Sequence, residues 1–86
     1  MNQIDRDALA ELTESAMPIN DDDYGSSRQV EAETKLADYI ISNLGDEFFA
    51  ECIEKVECSK LSIDESIQYL QHATLQRASE DSAYGS

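Results

Sequence analysis

The sequence predicts an all-α fold, a small bundle of about four helices around a central helical hairpin. Three observations predict it. Apolar residues recur at three- and four-residue steps in four separate stretches. The densest of these, from Ser26 to Ser59, breaks once, at Gly45-Asp46, where one amphipathic segment stops and another starts. No stretch alternates in the way a half-buried strand requires. Residues 1–78 read as one helical domain and 79–86 as a flexible tail.

Residues 3–17 form the first expected helix. Ile4, Ala8, Leu12 and Ala16 recur every four positions with Leu9 beside them, while Arg6, Asp7, Glu11 and Glu14 lie elsewhere. Asn2 is the expected cap, and Asp5 complements the positive end of the dipole. The face holds two alanines, so this helix is expected to dock on the central pair rather than to build a core. Pro18 ends it, because the residue before proline is pushed out of the helical region.

Pro18 to Ser27 is the one long connection and the most acidic point of the chain, with Asp21, Asp22 and Asp23 in a row. Ser26, followed by Gln29 three residues later, is a capping box for the second helix, Arg28–Leu44. That helix carries Val30, Ala37, Ile40, Ile41 and Leu44 on one side, widened by Leu36 and Tyr39. After Gly45, Asp46 is expected to cap the third helix, Glu47–Cys58, which presents Phe49, Cys52, Ile53 and Val56, flanked by Phe48. So short a hinge makes the two helices neighbours. Ser59-Lys60-Leu61 is a brief break. Ser62 and Glu65 make a second capping box, and a fourth helix runs to about Arg77 with Ile63, Ile67, Leu70 and Thr74 on its stripe.

At 86 residues the core is thin, so self-association or a partner is expected to contribute stability. The formal charge is −13, from 19 acids against 6 bases. Such a field repels phosphate backbones and anionic head groups, which disfavours direct nucleic-acid and membrane-surface binding and points to a partner with a basic surface. No apolar run is long enough to span a bilayer and the first residues lack a secretory pattern, so the expected location is cytoplasmic. Cys52 and Cys58 lie six apart on one helix; steps of ~1.5 Å separate their α-carbons by more than the ~7 Å limit for a disulfide, so both are expected as thiols.

Chemistry has little to stand on. The single histidine, His72, has no nucleophile motif around it, three glycines make no phosphate loop, and no catalytic residue or cofactor is assigned. With Cys52 and Cys58, His72 lacks the paired spacing of a zinc site. The acidic connection can be laid on a calcium-loop template with Asn20, Asp22, Tyr24, Gly25 and Glu31 at positions one, three, five, six and twelve. Tyrosine supplies no carboxylate there, however, and the Ser26 cap starts the helix too early, so no metal site is assigned.

The acids therefore direct the functional reading. Two rows are available: Asp21, Asp22 and Asp23 leading to Glu31, and Glu47, Glu51 and Glu54 along one face of the third helix. Tyr24, ringed by acids, suits stacking on arginine-rich surfaces. The expected role is to mimic a nucleic-acid backbone and occupy the basic groove of a nucleic-acid-handling protein. In size and charge the chain resembles small acidic phage-encoded inhibitors of restriction and CRISPR machinery; the resemblance covers composition alone, and no residue role carries over. The alternatives are a helical adaptor or homo-oligomer, a homodimer among them, that makes apolar contacts through Leu36, Tyr39, Tyr69 and Leu75, and, third, a metal-binding helix-loop-helix.

Overall fold

The computed structural model describes the backbone of residues 4–85 and the side chains of residues 4–80. Four helices follow one another: α1 (Arg6–Ala16), α2 (Ser27–Leu44), α3 (Asp46–Ser59) and α4 (Ile63–Gly85), with a single 3-10 turn, Asp21–Asp23, between α1 and α2. There is no strand among the described residues, and none of their helices is long and apolar enough to cross a membrane.

The hub is α2, which touches each of the other three helices and packs most extensively on α1; α4 closes the arrangement against α1 and α3. The expectation that α1 merely docks on an α2–α3 pair is therefore corrected. Its core face is also rotated from the expected stripe, with Leu9, Thr13 and Ala16 buried while Leu12 stays half-buried. Thr13 serves as a core residue because its hydroxyl donates to the Leu9 carbonyl at 2.8 Å, leaving its methyl to pack. On α2 the buried apolar positions are Leu36 and Ile40. Leu36 has no exposed surface, so it is not available for the contact between copies that the sequence suggested. Tyr39 is half-buried, and its hydroxyl is tied, accepting the Asp5 N–H at 2.9 Å.

Helix ends follow local chemistry. Asp5, not Asn2, caps α1, its carboxylate accepting the Asp7 and Ala8 N–H groups; Asn2 lies outside the described residues. Gly45 (φ 95°, ψ 160°) is both the end of α2 and the cap position of α3, so Asp46 is the first helical residue rather than the cap. Lys60 ends α3 in the left-handed region (φ 54°), with its N–H donating to the Glu57 carbonyl and the Leu61 N–H to the Val56 carbonyl, a pair of bonds that usually calls for glycine. The Ser62–Glu65 box forms in both directions, at 3.2 and 3.3 Å. Beyond Arg77 no proline or glycine interrupts the chain before Gly85, and the α4 backbone stays helical to that residue, past the expected end.

The molecule is flat, with extents of 45 × 27 × 16 Å. A helix is ~10 Å across, so the thin axis holds barely two layers. The apolar core is correspondingly small: Leu9, Ala16, Leu36, Ile40, Cys52, Ile67 and Leu70. Phe48 and Phe49 are half-buried against it rather than enclosed, and Arg77 lies over the Phe48 ring at 5.6 Å from its centroid.

Candidate functional site

The two acidic rows were expected to act alike, and their surroundings separate them. In the connection, Pro18 holds Met17 extended and stops α1. Asn20 then turns its side-chain oxygen onto the N–H groups of Asp22 and Asp23, at 3.0 and 3.1 Å, which nucleates the 3-10 turn. Gly25, at φ 73°, reverses the chain so that Ser26 can cap α2.

Asp23 is the centre of this corner. Its carboxylate accepts the Ile19 N–H at 2.9 Å, the Ser26 hydroxyl at 2.6 Å and the Arg28 Nε at 3.2 Å, and it is also bonded to Arg28 Nη2. Arg28, followed by Ser26 and the Ile19 amide, holds the carboxyl well below its usual range, and the same bond raises Arg28. Arg28 also donates to the Ser15 and Met17 carbonyls, at 2.7 and 3.1 Å, and Gln29 Nε2 donates to the Ala16 carbonyl at 3.0 Å. The first turn of α2 thus caps the last carbonyls of α1. Gln29 was expected to close a capping box on Ser26. Only half of that box forms: Ser26 Oγ accepts the Gln29 N–H at 3.1 Å, while the Gln29 side chain is buried and used elsewhere.

Tyr24 donates its hydroxyl to Asp64 Oδ2, in the first turn of α4, at 2.8 Å, although the residue is 44% exposed. That bond, then partial desolvation and the nearby charges of Asp64 and Asp21, raise the phenol above its ordinary value. Glu31 is exposed on α2, 4.0 Å from the Lys35 ammonium. Of the first row, Asp21 and Asp22 remain exposed carboxylates outside any ion pair among the described residues, whereas Asp23 is committed within the fold.

The calcium-loop template is not assembled. Asn20 spends its oxygen on backbone, and α2 begins at Ser27, the eighth template position. Among the described residues no group of three or more His, Cys, Asp or Glu side chains could hold a metal ion. Both cysteines are thiols, Cys52 buried and Cys58 exposed, and burial pushes the Cys52 thiol up. His72 is exposed on α4.

The second row has a different setting. Glu47, Glu51 and Glu54 are all exposed on α3, as are Asp46 and Glu57, and none of the five forms an ion pair among the described residues. Asp46 and Glu47 suit the positive end of that helix, but Glu54 and Glu57 approach its negative end, where no basic residue stands in the last turn.

A groove of ≈ 630 Å3 between α1 and α2 is floored by Ala8, Leu12 and Ala32 and edged by Glu11, Arg28 and Lys35. Its one hydroxyl, Ser15, has neither histidine nor cysteine among the groove residues to act with.

Sequence reasoning missed the roles of Arg28 and Asp64. A signal existed for Arg28: a cation in the first turn of a helix opposes the dipole and implies a local partner. Asp64 gave none, since an acid in a first turn is ordinary.

The fold and this surface define a class, a flat four-helix domain with one aspartate of an acidic corner clamped and one acidic helix whose carboxylates form no ion pair among the described residues. Comparisons with protein-family models, curated proteins and solved structures return no match for it.

Proposed function

We propose that the chain is an acidic binding protein that occupies a basic surface on a nucleic-acid-handling protein and blocks it, presenting Glu47, Glu51 and Glu54, with Asp21 and Asp22, in place of phosphates. One observation carries this reading: α3 exposes five acids and pairs none of them among the described residues. Helix stability does not ask for that arrangement. Like charges at four-residue spacing cost a few tenths of a kcal/mol each, and the helix dipole opposes the later ones. Along the axis, Glu47 to Glu54 spans ~10 Å, a charge every ~5 Å against ~3.4 Å for one DNA strand. Lysines and arginines that grip a phosphate row would find comparable density here.

Asp23, Tyr24 and Glu31 were expected on the same surface and are left out of the proposal. Asp23 is committed to Arg28, the Tyr24 hydroxyl to Asp64, and Glu31 stands beside Lys35.

The test is capture of host proteins on the immobilised chain, in parallel with the triple variant Glu47→Gln, Glu51→Gln, Glu54→Gln. The expected result is a captured nucleic-acid-binding protein that added duplex DNA or RNA displaces. The triple variant fails to retain it, and retention falls about tenfold or more between 50 and 200 mM salt. Retention indifferent to salt and equal for the variant overturns the proposal.

A further inference from the structure

A second surface, apolar this time, lies on the flank of α2 and α3. Val30, Ala37, Ile41 and Leu44 on α2, with Ile53 and Val56 on α3, were expected in the core and stand outside the buried cluster. Val30 is 50% exposed and the others are half-buried. Between the helices runs a groove of ≈ 310 Å3 whose lining includes Val30, Ala37, Phe49, Ile53 and Leu70, with Glu33 as its charged member.

Acids outnumber bases beside this groove: Glu33 lines it, and the seven-residue step that brings in Asp46 before Ile53 brings in the single base Lys60 after it. Helical spacing puts Asp46 seven residues before Ile53 and Glu57 four after it, on the same face, and both are exposed. Lys35 and Lys55 each lie two positions from a groove residue, Ala37 and Ile53, which turns them ~200° away around their helices. An apolar channel rimmed by Glu33, Asp46 and Glu57 complements a helix with one apolar face and basic flanks.

We infer that the α2–α3 groove receives an amphipathic helix of a partner protein. Its apolar side chains, at i, i+3 or i+4, and i+7, enter over Val30, Phe49 and Ile53, and its lysines or arginines meet the acidic rim. A second copy of this chain is the poorer occupant, because each copy carries a net −13 and would bring acid to acid. The inference rests on the reading that the partner is basic and adds to it a second contact, on a different surface from the Glu47–Glu51–Glu54 row.

The experiment uses two synthetic 18-residue peptides of lysine with leucine or phenylalanine, patterned as amphipathic helices, each with a scrambled isomer of equal charge. Binding to the full chain is read by fluorescence anisotropy. At least one patterned peptide binds tenfold or more tighter than its isomer. Val30→Asp, exposed in the first turn of α2 where an acid suits the dipole, weakens it tenfold or more, and Glu33→Gln weakens it two- to threefold. Circular dichroism confirms that both variants fold. The Glu47→Gln, Glu51→Gln, Glu54→Gln triple variant stays within about threefold of wild type, so failure here and failure of the capture experiment point to different surfaces. Equal binding of patterned and scrambled peptides, or a Val30→Asp variant that binds as wild type does, overturns the inference. So does light scattering that shows a dimer which Val30→Asp dissociates, since a second copy would then cover the groove.

Discussion

The corner where α1 hands over to α2 and the flank where α2 meets α3 are built from the same materials, apolar stripes edged with acids, and reach opposite states. At the corner, Leu9, Thr13, Ala16, Gln29 and Leu36 are buried, and Asp23 is bound by Arg28, Ser26 and a backbone amide. On the flank only Cys52 of α3 is buried, and the acids of that helix form no ion pair among the described residues. An acid count therefore says little about use. One arginine at the right place turns a single aspartate of the run into a structural clamp, while the glutamates of α3, in no ion pair among the described residues, stay open to others.

The contrast can be broken most directly through the core. Leu36→Ala is expected to cost about 3 kcal/mol, read by urea unfolding, because Leu36 has no exposed surface. Ile53→Ala, half-buried, should cost less than about 1.5 kcal/mol. Equal costs would mean that the flank is core after all.

The next largest effect tests the clamp. Asp23→Asn removes the charge that holds Arg28, so thermal unfolding should come several degrees earlier at neutral pH. Its folded carboxyl sits below the ordinary 3.8, so its bonds stabilise the fold above that pH, and the contribution fades as pH falls below it. Acid unfolding followed by circular dichroism should accordingly be less steep in Asp23→Asn over that range. An unchanged profile would make the clamp decorative.

Smaller and opposite in sign, Lys60→Gly should stabilise by roughly 0.5–1 kcal/mol, because only the left-handed backbone at the end of α3 is relieved. Smallest of all, Glu51→Gln should change stability by no more than about 0.5 kcal/mol, and any gain should be largest at low salt. A substantial loss would show that the α3 acids support the fold and would remove the contrast with Asp23.

The helices, their number and the hinge at Gly45 were legible because periodicity and punctuation are local signals. Which face of α1 is buried was not, because Thr13 looks polar until its hydroxyl is seen on the Leu9 carbonyl. The α2 and α3 stripes were read as core in full, but the flatness of the assembly leaves Val30 and Ile53 short of cover, and flatness is a property of packing that no single helix encodes. The acid rows were visible as rows; their difference depended on Arg28 and on Asp64, forty residues from Tyr24, which no spacing rule connects.

The Tyr24–Asp64 bond also makes the molecule its own indicator. The chain has four tyrosines and no tryptophan, so its near-ultraviolet absorbance belongs chiefly to phenols. In an alkaline spectrophotometric titration the Tyr24 phenol should ionise late, held back by the carboxylate beside it. Asp64→Asn, which removes that neighbouring charge, should bring the late step forward, giving a label-free signal of whether the connection before α2 is seated on α4 when a partner arrives.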